Sequence, residues 1–317
     1  MNELDLITRL TKSLPANDAV VVGAGDDCAV LDLGVPGRLL LFKTDAVVEG
    51  VHFTPDTPPE QIGHKALARC LSDIAAMAGT PTAALVTLAL PLGFDPARIE
   101  AIYTGLNALA RRHGVAIAGG ETTTNPGGLL LSIALLGWVE AGRCVRRAGV
   151  EVGDALFVTG ELGGSLAGKH LSFEPRLAEA RWLAVHFPPQ GMIDLSDGLA
   201  SDLRHLLQAG GTMRGAELLA RALPISRAAK LAHREGRSAK PPVLAALTDG
   251  EDFELLFAVA SREAVALQDA WRKQFPNLSL KCIGKVTTGS AITIRDQHGS
   301  KTLPPHGYVH FTESPAG

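Results

Sequence analysis

The chain has no positive charge to spare. Its 30 Lys and Arg stand against 33 Asp and Glu, a net charge of −3. The basic footprint of a nucleic-acid-binding protein is therefore missing. Cysteine is scarce: Cys28, Cys70, Cys144 and Cys282 are scattered, with no CxxC spacing. That argues against a zinc site or a disulfide framework. It fits buried thiols in a reducing cytoplasm, which is the expected location. Cys28 adjoins an acidic pair that should raise its pKa, so it is not read as a nucleophile. Long hydrophobic runs are absent too. TAALVTLAL and GLLLSIALLGWV are too short to span a membrane. The opening MNELDLITRLTKS carries acids, lacks the apolar core of a secretory signal and predicts an amphipathic helix. No G-x-S-x-G elbow occurs, which removes the usual serine-hydrolase reading. Short-period repeats and low-complexity tracts are also missing.

What the chain has is a repeated design. Five times an apolar run ends in one or two small residues and then a carboxylate. The segments are VVGAGDD (21–27), LLLFKTD (39–45), VAIAGGET (115–122), GMIDLSDG (191–198) and AALTDGED (245–252). Apolar runs of this length predict buried strands. Carboxylates at their ends should gather at one rim, where open α/β sheets hold ligands. Crowded carboxylates repel unless cations lie between them. Magnesium suits such oxygen-rich sites and is commonly held by one or two carboxylates plus substrate phosphates. The pattern thus points to an enzyme acting on phosphorylated substrates.

Each segment alone has a plainer explanation. Asp26-Asp27 after Gly23-Ala24-Gly25 suits a turn with a helix cap. Asp194, Ser196 and Asp197 suit a cap, with Asp197 as the capping residue, although a helix start there also suits a phosphate oxygen. Glu251-Asp252 suits a charged hairpin turn. His52, just past an acid-ended strand, suits a structural role. Asp73 is different, because it lies in an apolar helical segment and buried Asp needs a partner. Five recurrences are poorly explained as five independent turns. The run Gly163 to Lys169 has G-x-x-x-x-G-K spacing, but His170 stands where a P-loop needs Ser or Thr.

The length of 317 residues suits two domains or one large one. Strand-like runs at 20–22, 29–33, 39–44, 83–90, 115–118 and 129–139 alternate with helical runs at 58–78 and 95–112. Asp95 and Pro96 should start the second of these helices. The Gly- and Arg-rich stretch 140–154 is the expected boundary, giving domains 1–142 and 143–317. The second half predicts strands at 155–159, 192–195, 253–259, 281–286 and 291–294. It predicts helices at 174–186, 199–208 and 262–275, with helix and loop between 220 and 240. The class is α/β or α+β.

Together GAGDDCAVLD, KTDAVVEGVHF, KALARCLSDIAAMAGTP, GGETT, MIDLSDGLASDLRHL, TDGEDFELLF and GYVHF resemble the thiamine-monophosphate kinases, in family order across nearly the whole chain. This is a family of the aminoimidazole-ribonucleotide-synthetase-like superfamily. The resemblance implies a two-domain synthetase-like fold, with an α/β C-terminal domain and a homodimer whose N-terminal domains share a β-barrel. It implies transfer of the γ-phosphate of ATP to thiamine monophosphate, with several Mg²⁺ ions. It assigns Asp26, Thr44, Asp45, Asp73, Glu121, Asp194 and Asp197 to metal. ATP falls to Tyr103, Gly120, Glu121, Arg147 and Ser196, with Arg146 adjacent, and thiamine phosphate to His52, Glu251 and Tyr308. Arg147 and Asp197 are the residues assigned to catalysis. Three positions depart from the family pattern: Lys43 for a small residue, Glu121 for Asp, and Asp249 for a small residue. The alternatives are another ATP-dependent reaction on this scaffold, or a paralogue that binds ATP or thiamine phosphate without turnover.

Overall fold

The computed structural model describes residues 3–303. In chain order the elements are α1 (Glu3–Thr11), β1 (Val20–Val22), β2 (Ala29–Leu31), β3 (Arg38–Val48), α2 (Pro59–Ala76), β4 (Thr80–Leu90), α3 (Pro96–His113), β5 (Ala116–Thr124) and β6 (Leu130–Glu140). There follow β7 (Ala155–Thr159), α4 (Leu177–His186), β8 (Gly191–Asp194), α5 (Leu199–Gln208), β9 (Gly215–Leu219), α6 (Arg227–Arg234), α7 (Pro242–Thr248), β10 (Leu255–Val259), α8 (Ala264–Gln274), β11 (Leu280–Thr287), β12 (Ile292–Asp296) and β13 (Gly299–Thr302).

The strands form two sheets. The first has the order β1-β2-β3-β6-β4-β5, the second β13-β12-β9-β11-β7-β10-β8. Among the strands of the described residues, β4–β5 and β9–β12 pair in parallel and the rest antiparallel. The sheets are thus mixed, within the expected α/β or α+β class. Two of the acid-ended runs continue past their acid. β3 carries Asp45 in its interior, opposite Ile133 of β6, and β5 carries Glu121 opposite Thr87 of β4. Asp45 is tolerated inside a strand because a helical arginine reaches it, as described below.

Local chemistry sets the helices. Asp95 caps α3 by accepting from the Ala97 N–H at 3.0 Å, Pro96 follows, and Gly114 ends the helix at φ 68°. The α5 start is not capped by Asp197. Asp202, one turn inside the helix, reaches back and accepts from the N–H groups of both Asp197 and Gly198 at 3.1 Å.

The strands β7 and β10 are buried on both faces, which explains their unbroken apolar runs. On one face Phe157 and Phe257 join a core that includes Leu183, Trp271 and the inner residues of the first sheet. On the other face Leu156, Val158 and Leu256 pack with Leu199, Leu203 and Leu206 of α5. Helix α2 lies between the two sheets, packed on β3 and β6 on one side and on β8 and α4 on the other. Thirteen of its 18 residues are buried, so any polar side chain on it needs a partner.

Candidate active site

Three carboxylates meet beside α2. Asp27 comes from the loop after β1, Asp73 from α2 and Asp194 from the end of β8. Each offers an oxygen within 4.8 Å of the others, and all three residues are buried. Each also has a different partner. Arg147 donates to Asp27 from Nη2 at 2.6 Å and from Nε at 3.3 Å, while its backbone N–H points at Asp26. Lys43 lies 2.9 Å from Asp73. The Ser72 hydroxyl donates to Asp194 at 2.6 Å.

Burial and then the charge of Asp27 raise Asp194 to about 7, against the pull of Ser72, Lys43 and Arg147. Asp26 is raised to about 6, again by burial first and Asp27 second. Burial drives Asp73 well above the carboxylate range, with Lys43 opposing. Hard, crowded oxygens that resist losing their protons gain from a divalent cation, so the residues present fit Mg²⁺.

A cleft of ≈ 120 Å³ opens next to this cluster, and His52, Arg69, Ser196, Asp197 and Glu251 are among its lining residues. Its acids Asp197, Asp249 and Glu251 come from loops, and two cations of α2, Lys65 and Arg69, meet Glu251 there. The Lys65 side chain has no solvent exposure. Its ammonium donates to the His52 carbonyl at 2.7 Å and to Glu251 at 2.6 Å. One turn on, Arg69 links Glu251 at 3.4 Å to Asp45 at 3.4 Å. His52 accepts the Val48 N–H on Nδ1, which puts its ring proton, when neutral, on Nε2.

The Glu251 segment is strained. Glu251 and Phe253 sit at φ 53° and 49°, a region costly for residues with side chains. The strain is held by three bonds. The Glu251 and Phe253 N–H groups donate to the carbonyls of Ser196 and Leu195, and the Ser165 hydroxyl donates to the Glu251 carbonyl. The strained loop is thereby fixed to the β8–α5 turn that carries Ser196 and Asp197.

The Gly163–Lys169 run is not a phosphate cradle. The Gly163 and Gly164 N–H groups already donate to the carboxylates of Asp252 and Asp249. Lys169 is paired with the buried Glu254 at 2.8 Å. Glu254 also takes two bonds from Arg176 and one from Thr159. Burial alone would raise the Glu254 carboxyl, but its two cations hold it below its ordinary value.

Residues 25–139 match the family model "AIR synthase related protein, N-terminal domain". The thiamine-monophosphate kinase of Rhodopirellula baltica is 41% identical, over 95% of this chain and 93% of its own length. That of Bacillus subtilis is 33% identical, over 98% and 100%. A solved structure, AaThiL complexed with AMPPCP and TMP, superposes with a TM-score of 0.82 at 29% identity, covering 98% of this chain and 97% of its own. The chain belongs to the thiamine-monophosphate kinase family.

Seen as a member of the thiamine-monophosphate kinase family, the chain distributes its expected site residues unevenly. His52, Ser196, Asp197 and Glu251 share the cleft. Asp73 and Asp194 share the carboxylate cluster, and Asp26 and Arg147 adjoin it. Asp45 is joined to the cleft through Arg69. Thr44 is not brought to this group, because it projects from the opposite face of β3 and lies 3.4 Å from the Ser132 hydroxyl. Gly120 and Glu121 are exposed on the edge strand β5. Tyr103, on α3, is half-buried against the first core. Tyr308 lies outside the described residues.

Asp27 was not expected as a ligand, Ser72 was expected only as a possible helix cap, and Lys65 and Arg69 were given no role. Their signal was present. Positions 65, 69, 72 and 73 recur at helical spacing within a segment that is otherwise apolar, which places them on one face of α2.

Proposed function

We propose that this protein transfers the γ-phosphate of ATP to thiamine monophosphate, releasing thiamine diphosphate and ADP. The observation that carries this is the match to thiamine-monophosphate kinases over nearly the whole chain. The carboxylate cluster beside a cleft lined by both acids and a cation supports it.

The acceptor is a phosphate oxygen, already ionised near neutrality because the second pKa of a phosphate ester is about 6. No general base is needed, and catalysis reduces to positioning and charge neutralisation. We assign Mg²⁺ to Asp26, Asp27, Asp45, Asp194 and Asp197, with Thr44 and Glu121 as outlying members of the set; Asp73 shares the cluster but is paired with Lys43. When bound, it supplies positive charge to phosphate oxygens that the acids alone would repel. Arg147 is assigned to the charge that develops on the transferring group. Tyr103, Gly120, Glu121 and Ser196 are assigned to ATP. His52, Glu251 and Tyr308 are assigned to thiamine monophosphate, with Glu251 complementing the cationic ring system and Tyr308 stacking on it.

We assign the two sheets to two domains that divide near 142/143, and place the enzyme in the cytoplasm. Among the described residues no helix is long and apolar enough to cross a membrane. A homodimer sharing a β-barrel is also assigned. It is supported by the outer face of the first sheet, where Phe42 and Leu85 are 44% and 50% exposed.

The test is product analysis after mixing protein, ATP, Mg²⁺ and thiamine monophosphate. Thiamine diphosphate and ADP should appear one for one. ATP consumed without thiamine diphosphate would instead mean a sibling reaction on this scaffold. Both ligands bound with no turnover would mean a binding protein.

A further inference from the structure

Lys43 stands in the interior of β3, a strand paired on both sides. Its ammonium is 2.9 Å from Asp73 Oδ1, and its side chain is less than a quarter exposed. Asp73 is one of the three acids whose oxygens converge. Lys43 therefore places a fixed positive charge where the donor set favours a divalent ion. An ammonium and a metal ion compete for the same carboxylate lone pairs. Mg²⁺ needs an oxygen at about 2.0–2.1 Å, which would set a double charge directly against the lysine.

The other two acids differ. Asp194 accepts from a neutral hydroxyl, that of Ser72, at 2.6 Å. Asp27 pairs with Arg147, which rises from a connecting loop, and a guanidinium pairs with phosphate as readily as with carboxylate. Lys43 is anchored mid-strand, with Asp73 and Asp45 as the carboxylates acting on it.

We propose that Lys43 is a resident cation that takes the place of one divalent ion at Asp73, leaving Asp27 and Asp194 as the carboxylates open to metal. The enzyme then binds one ion fewer than its acids alone would hold. This rests on the metal reading of the cluster above.

The experiment counts Mn²⁺ bound to the full-length protein, with AMPPCP present, by the paramagnetic resonance of the free ion. Lys43→Ser should bind one more Mn²⁺ than the wild type, and Lys43→Arg the same number. Asp73→Asn in the wild-type background should leave the count unchanged, because Asp73 is occupied by lysine. In the Lys43→Ser background Asp73→Asn should remove the extra ion. The proposal is overturned if Asp73→Asn alone loses an ion, a result that does not depend on whether Lys43→Ser folds. Equal counts in wild type and a folded Lys43→Ser also overturn it. A wild type that binds no Mn²⁺ beyond that carried by the nucleotide removes the metal reading itself, whereas product analysis decides the kinase reading separately.

Discussion

Arg147 and Asp27 form the tightest cation–carboxylate contact at the carboxylate cluster, 2.6 Å with the Asp27 side chain wholly buried. Arg147→Ala leaves that carboxylate without a cation. Breaking a buried pair from one side costs about 3–5 kcal/mol, and the low end applies because the Arg147 side chain is 21% exposed. Mg²⁺ should return part of the loss by taking over Asp27. Thermal unfolding of Arg147→Ala with EDTA and with Mg²⁺ checks this, and an unchanged melting temperature in EDTA would count against it. A second consequence follows from Asp194 and Asp26, whose ordinary value of 3.8 is raised to about 7 and about 6. Between those limits the native state keeps protons that the unfolded chain has released, so stability of the metal-free protein falls as pH rises from about 4 to about 7. Mg²⁺ binds the ionised forms, so its stabilisation should grow across the same window. Melting temperatures at about pH 5 and about pH 8, with EDTA and with Mg²⁺, measure this linkage. A Mg²⁺ shift as large at the lower pH would contradict it. At this scale the acids were legible in the sequence and their partners were not. An Asp after an apolar run announces itself, whereas the lysine or arginine that neutralises it is chosen by the fold.

The decisive element is α2, because it carries Lys65, Arg69, Ser72 and Asp73 between the two sheets. Its position depends on a close approach to α3. A Cβ on Gly63 would lie 1.9 Å from the Ile102 carbonyl oxygen, and one on Gly105 would lie 1.9 Å from that of Glu60. Two effects oppose each other in Gly63→Ala. Helix propensity gains roughly 1 kcal/mol. Overpacking against rigid backbone costs about 1–3 kcal/mol or more, and here the obstacle is backbone that cannot rotate away. The clash should win, lowering urea-measured stability and, by displacing Asp73 and Arg69, activity. A more stable Gly63→Ala would refute the argument. Both helices were readable in the sequence from apolar periodicity and the Asp95-Pro96 start, yet nothing there marked the glycines as contact points. Strand reading failed where polarity intervened. The run 39–45 seemed to stop at Asp45, but β3 continues to Val48 because Arg69 neutralises the acid. β13 was missed because GSKT is exposed and polar throughout. β9, with Glu217 inside GAELL, offers too short an apolar run to stand out.

Over the whole molecule, the first sheet has a buried face and one that lacks a cover among the described residues. Residues of β6 alternate strictly, with Leu131, Ile133 and Leu135 inside and Ser132, Ala134 and Leu136 partly exposed. The register puts Leu136 opposite Phe42 and Ala83, and Ala134 opposite Thr44 and Leu85. Directly opposed residues share a face, so Phe42, Leu136, Ala134, Ala83 and Leu85 form one apolar surface across three adjacent strands. A contiguous patch of this kind on a sheet marks an interface more often than free surface. A second copy of the same sheet would cover it, which is the arrangement we propose for the homodimer. The same geometry explains Thr44, which faces this surface while Lys43 and Asp45 face the site. Phe42→Glu and Leu85→Glu each place a charge on the patch without touching the inner core, so they should give monomers with an intact circular dichroism spectrum. Size-exclusion chromatography with light scattering reads this directly. If both variants elute with the wild type as a dimer, the interface lies elsewhere. If the wild type is already a monomer, the apolar face needs another explanation. Activity separates two further cases. Monomers that turn over at the wild-type rate would have complete sites within one chain. Monomers that fold but lose most activity would show that β3, with Lys43 and Asp45 on its reverse face, is held in register by the partner sheet.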